Sequence, residues 1–239
     1  MKNIVLIEGL DLVGKTTLCE KLVNSHPDEF IYRKGIYSDN NELYQEVVKK
    51  SKLGIYSEET IAWMYIAAAR HELDLLKQMQ VGQGDKIVIQ DSFFLNRMIG
   101  VHAIKKRETL IQAIDELIKK FELPQQVFYV YSDINTRQKR FLERMSVKEP
   151  AFGDKLVFED KRDALLREQI FREYITMRYE TEVLDNSDID IDKLVDEVYN
   201  KIKNNNIEKG KEKENENNHN WRNSGGWENN VRTKVRKRK

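Results

Sequence analysis

Apolar residues along the chain fall into short strand-like runs, separated by longer stretches in which they recur at helical spacing. The runs are "KNIVLI" from Lys2, "EFIYRKG" (29–35), "DKIVIQD" (85–91), "QVFYVYSD" (126–133) and "TEVLDNS" (181–187). "DKIVIQD" shows no polar alternation, as a strand buried on both faces of a parallel sheet requires. Between the runs, "TTLCEKLVNSH" places Leu18, Leu22 and Val23 at helical spacing. "NELYQEVVKKSK" (41–52), "SEETIAWMYIAAARHELDLLKQMQ" (57–80), "KRETLIQAIDELIKKFEL" (106–123), 135–145, 159–180 and 190–203 read as further helices. Ser57 near Glu59 and Thr60 predicts a cap for the long helix, Gly82 lies just past its end, and Pro124 stops the 106–123 helix. Strands alternating with helices predict an α/β fold, a parallel five-stranded sheet with helices on both faces. No internal repeat is present.

From Asn204 the pattern stops. "NNNIEKGKEKENENNHNWRNSGGWENNVRTKVRKRK" is rich in Asn, Lys and Glu and has almost no aliphatic residues. Such a segment cannot bury enough surface to offset its ordering entropy, so a disordered C-terminal tail is expected over 204–239, after one domain over 1–203.

Charge changes this picture little. The chain has 41 Lys and Arg against 40 Asp and Glu, a net of +1. The tail holds ten basic and five acidic residues, which leaves the body 31 basic and 35 acidic, a net of −4. That body is no general nucleic-acid binder, and only the terminal "KVRKRK" has the charge to touch nucleic acid or an acidic partner. The one cysteine, Cys19, cannot form an internal disulfide, which suits a reducing cytosol. No apolar run reaches membrane length and the chain opens directly on a strand, so a cytoplasmic protein is expected.

The chemistry begins with "IEGLDLVGKTTL" (7–18), where Gly9, Gly14, Lys15 and Thr16 fit the pattern G-x-x-x-x-G-K-[ST] between a strand and a helix. Glycines let successive backbone N–H groups converge on an anion, and the helix N-terminus adds partial positive charge. The loop residues Gly9, Leu10, Asp11, Leu12, Val13, Gly14, Lys15, Thr16 and Thr17 are therefore the candidate phosphate site. Lys15, expected to face solvent when ATP is absent, would reach the β/γ-phosphates, and the Thr16 hydroxyl would ligate Mg²⁺. Asp91, closing "KIVIQD", has the position at which P-loop enzymes keep a carboxylate for Mg²⁺ or its water shell.

The order "IEGLDLVGKTT", "IAAARHELDLLKQ", "KIVIQDSF", "VFYVYSDINTRQKRFLERM" resembles thymidylate kinase, over residues 1–203. The resemblance implies a three-layer P-loop kinase fold, Mg²⁺ with ATP as phosphate donor, a nucleoside monophosphate acceptor with dTMP the best guess, and a homodimer. It implies that Asp11 contacts the acceptor's sugar, that Lys15 and Thr16 meet the donor phosphates and Mg²⁺, and that Arg70 helps hold the acceptor. Asp91 takes the family's strand-end carboxylate, and Arg140 with Arg144 the basic pair leading into a lid at about 145–160. Arg33 matches the family's arginine after the second strand, where the usual Arg-Glu-Pro reads "RKG".

Two departures fall on the acceptor side. Ser92 stands where the family has an arginine that grips the monophosphate, which a serine cannot do bidentately. Ile66 stands where an aromatic ring usually stacks on the thymine. Leu12 and Val13 replace the small or basic residues common in the loop. Arg97, or a cation near the lid (Lys148, Lys155, Lys161, Arg162), is a candidate to replace the lost charge. The altered pocket keeps open a deoxynucleoside or other small-molecule kinase. A nucleotide-binding regulatory P-loop protein is the reading from another class, weakened because the chain has no N-x-x-D-type guanine motif of the form N-K-x-D and no D-x-x-G after Asp91.

A chain ended at Lys203 is expected to keep its thermal transition and its ATP turnover, since the tail lacks core-forming residues. A large drop in either would show that Trp221, Trp227 or the terminal basic run docks on the body.

Overall fold

The apolar runs form strands β1 (Ile4–Glu8), β2 (Phe30–Lys34), β3 (Ile87–Asp91), β4 (Gln126–Tyr131) and β5 (Thr181–Asp185). In the computed structural model they make one parallel sheet of order β2-β3-β1-β4-β5. The structure describes residues 4–35, 41–79, 86–121, 124–147 and 160–215. The helices are α1 (Lys15–Ser25), α2 (Glu42–Lys52), α3 (Glu58–Met79), α4 (Phe94–Ile104), α5 (Glu108–Ile118), α6 (Ile134–Met145), α7 (Lys161–Arg178) and α8 (Ile191–Asn215). The chain divides into two compact units, Met1–Ile202 and Lys203–Lys239, and the sheet belongs wholly to the first.

β1 and β3 are buried along their whole length, which is why their sequences lack polar alternation. Val5 and Ile7 of β1 join Ile87, Ile89, Phe128, Val130 and Leu184 in a core with Leu18, Cys19 and Leu22 of α1 and Leu194, Val195, Val198 and Ile202 of α8. The alternate residues face the opposite side. There the Tyr129 ring lies 6.1 Å from that of Phe171 on α7, and α4 packs against α5 and α7. Helices thus cover both faces, as the alternating pattern predicts.

Three elements differ from the sequence reading. Helix α4 is not anticipated, although Leu95, Met98, Ile99 and His102 give it a buried stripe. Its Gly100 masks the pattern, and the glycine is there because a Cβ would lie 3.1 Å from the Phe171 ring. The predicted 106–123 helix is shorter, Glu108–Ile118. The last helix does not stop at 203 but runs on to Asn215. Its extra turns are dense in Lys and Glu, which are good helix formers even without a core to join. The remainder of the tail, and 148–159 of the candidate lid, lie outside the described residues.

β1 and its neighbour β3 continue in opposite directions across the sheet, β1 towards β2 and β3 towards β4. In open parallel sheets a crevice forms at the carboxyl ends of such a strand pair, and ligands bind there. Glu8 and Gly9 leave β1 at this point, and Asp91 and Ser92 leave β3. No described helix is long and apolar enough to cross a membrane.

Candidate active site

The loop after β1 is fixed by its carbonyls. Lys15 Nζ donates to Leu10 O at 2.5 Å, Arg137 Nε to Asp11 O at 3.0 Å, Arg140 Nη1 to Leu12 O at 3.1 Å, and Asn186 Nδ2 to Val13 O at 2.8 Å. In a trans peptide the C=O and the following N–H point in opposite directions. Capturing the carbonyls of residues 11, 12 and 13 from α6 and the end of β5 therefore turns the N–H groups of Leu12, Val13 and Gly14 the other way. A row of N–H groups ending at a helix N-terminus is an anion nest.

The nest needs unusual backbone. Gly9, Leu12 and Gly14 have φ of 143°, 68° and 93°. A Cβ on Gly9 would lie 2.3 Å from Val130 O, and one on Gly14 2.5 Å from Asn186 Nδ2. Leu12 is the exception, because a non-glycine residue held there costs about 1–3 kcal/mol. Its side chain is buried with Ile134, Phe141 and Ala164 of α6 and α7, and burying a leucine contributes about 1.5–3 kcal/mol, enough to offset the strain. Val13 is buried in the main core. The two loop positions that depart from the family are thus the ones that anchor the loop.

Lys15 is buried, at 8% exposure, and does not face solvent as the sequence reading supposes. Burial pulls its pKa down, while Asp11, Asp91 and Glu8 oppose the fall. Thr16 Oγ1 donates to Asp91 Oδ2 at 2.7 Å, and Tyr32 on β2 donates to the same oxygen at 3.0 Å. A hydroxyl that gives its proton to a carboxylate keeps its lone pairs for a hard cation. Thr16 and Asp91 accordingly fit Mg²⁺, which takes few protein ligands and keeps several waters.

On the crevice floor Glu8 is fully buried. Its Oε1 accepts from Phe93 N at 2.9 Å and Asn96 Nδ2 at 3.0 Å, while Oε2 is buried without a hydrogen-bond partner. Burial pushes its pKa up to about 7, against the pull of those two donors and of Lys15 and Arg97. Asp11 and Arg97 form an ion pair, Nη2 to Oδ2 at 2.6 Å. Burial alone would raise the Asp11 pKa, but Arg97 and then Lys15 hold it below the usual range. Arg97 is therefore paired with Asp11, its charge already matched there.

Arg33 Nε bonds to Gln90 Oε1, and Gln90 Nε2 donates to the carbonyls of Ser92, at 2.8 Å, and Gly35. The short β2 match thus brings Arg33 to the same strand ends as Ser92. Ser92 itself has φ of 65°, and its N–H donates to Ile7 O at 3.0 Å. On α3, Ile66 is half-buried on the inner stripe, and the neighbouring Tyr65 ring lies 4.9 Å from Phe94 and 6.1 Å from Tyr44. Arg70 does not join this group. It shares the exposed stripe of α3 with Trp63, Ala67 and Asp74, and pairs with Asp74 at 3.5 Å.

Beside the nest, a pocket of about 390 Å³ is lined by Leu12, Gly14, Thr17, Arg140, Arg144, Asn186, Ile189 and Ile191. Arg140 is no solvated surface residue. Besides Leu12 O it donates to Ser132 Oγ at 2.9 Å and Asn186 O at 2.8 Å. Lys161 reaches Asn135 at 3.4 Å, Arg162 is exposed, and Lys148 and Lys155 lie outside the described residues. Sequence reasoning missed Glu8, Tyr32, Gln90, Asn96, Ser132, Arg137 and Asn186. Two carried a signal: Glu8 ends an otherwise apolar strand, and Arg137 stands one helical turn before Arg140.

A family model for thymidylate kinase matches residues 7–188, a stretch that takes in the loop, Asp91, Arg140 and Asn186. The chain belongs to the thymidylate kinase family. A probable thymidylate kinase of Metallosphaera sedula is 24% identical over 188 residues, 77% of this chain and 84% of that protein. Among solved structures, thymidylate kinase from Candida albicans is similar with a TM-score of 0.60 at 19% identity, covering 85% of this chain and 92% of that one. A deoxyadenosine kinase from M. mycoides, with products dCMP and a flexible dCDP bound, is similar with a TM-score of 0.54 at 15% identity, covering 84% of this chain and 99% of that one. These two likenesses are of fold. As a member of the family, the chain is a nucleotide kinase resembling thymidylate kinase.

The kinase should carry a pH signature of Glu8. Its pKa rises from 4.5 to about 7 on folding, so its contribution to stability is full below pH 4.5 and is lost as pH climbs through about 7. The Glu8→Gln variant keeps the Oε1 acceptor and cannot ionise. Its melting temperature relative to the unsubstituted chain is expected to rise between about pH 5 and about pH 8. An offset that stays constant over that range would show that Glu8 ionises as it does in water.

Proposed function

We propose that the kinase transfers the γ-phosphoryl group of Mg·ATP to a nucleoside monophosphate, with dTMP the first candidate, and that residues 1–203 carry the reaction while 204–239 are accessory. The single observation behind the donor half is the captured loop: three carbonyls held outward, N–H groups facing the other way, and Lys15 returned to Leu10 O within the same turn. When phosphate enters, the Lys15 ammonium exchanges that carbonyl for phosphate oxygens. The N–H groups of Leu12, Val13 and Gly14 and the start of α1 then take up negative charge without reorganising. Thr16 and Asp91 would hold Mg²⁺, which supplies charge neutralisation on the β/γ oxygens when bound. Ile189 and Ile191 give the pocket beside the loop an apolar wall for the donor base, with Arg140 and Arg144 at its rim. The lone, buried Cys19 suits a reducing cytoplasm.

The acceptor belongs across the crevice, between Asp11 and Arg97 on one side and Arg33, Gln90 and Ser92 on the other. Positioning and charge neutralisation carry most of phosphoryl transfer, because the loose transition state asks for little covalent help. Asp11 accepts a sugar hydroxyl, and Arg97 fixes Asp11. Arg33, pinned to Gln90, is the cation best situated to meet a monophosphate that Ser92 cannot grip. Tyr65 and Phe94 offer the ring faces that Ile66 lacks. One observation favours a second reading, an uncharged deoxynucleoside acceptor: the side chain after Asp91 is a serine, and Arg97 is already neutralised by Asp11.

Two measurements test the reading. Lys15→Ala is expected to cut turnover of Mg·ATP with the best acceptor by at least about 10²–10³-fold, the loss seen when one donor to developing charge is removed. The variant is expected to melt cooperatively, with some loss of stability because Lys15 is buried and bonded to Leu10 O, and near-normal turnover would unseat the loop as donor site. For the acceptor, dTMP and thymidine are compared at fixed Mg·ATP in the unsubstituted chain and in Ser92→Arg. A monophosphate kinase prefers dTMP and binds it more tightly once the arginine is added. A chain that prefers thymidine, and loses it in Ser92→Arg, is a nucleoside kinase.

A further inference from the structure

Arg137 enters the scheme above only through the Asp11 carbonyl, yet it is among the most buried cations of the described residues, at 2% exposure. A guanidinium taken out of water is costly unless hydrogen-bonded and paired. Two partners face it. Glu168 on α7 accepts from Nη1 at 3.4 Å, and Asp11 O accepts from Nε at 3.0 Å. The other Glu168 oxygen, Oε1, takes the Tyr129 hydroxyl at 2.7 Å.

The distances rank these partners. An arginine placed to neutralise a carboxylate presents its fork, two short parallel bonds. Arg137 instead makes one long bond to Glu168 and a shorter one to a neutral backbone carbonyl. The carboxylate offsets the charge, and the geometry serves the loop. The peptide that Arg137 holds is the one joining Asp11 to Leu12. Its N–H is the first of the nest, and it opens onto Leu12, the strained residue with φ of 68°. Strained backbone persists only where the surroundings over-determine it. Arg140, one turn along α6, holds the next carbonyl, and Asn186 the one after.

We infer that Arg137 is a positioning residue that sets the phosphate loop for the donor, acting through the Asp11 carbonyl. This rests on the reading of the loop as the donor phosphate site. A merely structural arginine would change stability and leave nucleotide affinity alone, whereas a loop-setting arginine changes affinity for the phosphates beyond the modest loss of stability that an unpaired Asp11 carbonyl brings.

The test titrates Mg·ADP calorimetrically into the full chain, with melting temperature measured alongside. Arg137→Met alone strands Glu168 as an unpaired buried carboxylate and is not used. The comparison is Arg137→Met/Glu168→Gln against Glu168→Gln. The double variant is expected to bind Mg·ADP at least about tenfold more weakly than Glu168→Gln, while the two melt within a few degrees of one another. Arg137→Lys is read in parallel and is expected to lose a similar factor, because a single ammonium cannot span Glu168 and Asp11 O as the planar fork does. If the double variant melts cooperatively and binds Mg·ADP as Glu168→Gln does, the inference is overturned. If it does not melt cooperatively, Arg137→Lys decides by the same criterion against the unsubstituted chain. If the unsubstituted chain itself fails to bind Mg·ADP, the donor-site reading falls and this inference with it.

Discussion

The site depends on one elementary constraint: a peptide group cannot point its N–H at a ligand unless its carbonyl is content to point the other way. In water that carbonyl is satisfied by solvent. At the buried root of a crevice it must be given a donor, or it costs on the order of 1–3 kcal/mol. Arg137, Arg140 and Asn186 supply those donors to three successive residues. They come from α6 and from the turn after β5, elements that follow the two strands on one flank of β1. The order of strands in the sheet is thus what brings a helix more than a hundred residues downstream against the loop that opens the chain.

The same burial that sharpens the nest sets the electrostatics around it. Glu8, Asp11, Lys15, Asp91 and Arg97 feel one another in the crevice, and each is shifted or paired accordingly. Where water is scarce a charge is either matched or neutralised. Asp11 and Arg97 take the first course. Glu8, whose second oxygen has no donor, takes the second and holds its proton to about pH 7. Its accepting oxygen nevertheless ties β1 to the start of α4, and Asn96 carries the connection on to the Tyr174 and Tyr179 hydroxyls at 3.4 and 3.3 Å. A polar network of this kind holds α4, and with it Arg97, at a fixed height above the loop.

What could be read from the sequence follows the range of the interactions. Strands β1 and β3 and the glycine loop are written in contiguous residues, and so the parallel sheet and the loop were legible before any coordinates, whereas the hydrogen bond that joins Thr16 to Asp91 was not. Arg137 and Asn186 were not, because their work is done on backbone atoms far along the chain, and a carbonyl has no letter in the sequence. Burial around Arg70 was not legible either: of its neighbours Ala67, Ala68 and Ala69 two are buried, and the arginine itself falls on the solvent stripe. Helix α4 was hidden by Gly100, a residue chosen for the Phe171 ring and not for helix propensity. The reach of α8 to Asn215 was hidden by composition, since Lys and Glu sustain a helix and a disordered chain alike.

The two halves of the crevice are built from different materials, and this bears on what can vary. The proposed donor half is backbone, gripped by α6 and shaped by Gly9 and Gly14, where even a methyl group meets another atom within about 2.5 Å. The proposed acceptor half is made of side-chain pairs: Asp11 with Arg97, Arg33 with Gln90, Tyr65 with Phe94. Pairs exchange partners without moving the chain that carries them. Ser92 is the clearest case. Its N–H is bound to Ile7 O and its carbonyl to Gln90 Nε2, so main-chain bonds hold the backbone where β1 and β3 place it, in the left-handed region. A change from arginine to serine at that point alters the charge offered to an acceptor and leaves the phosphate loop untouched. A fold of this kind can therefore vary its side-chain half while the backbone half stays fixed.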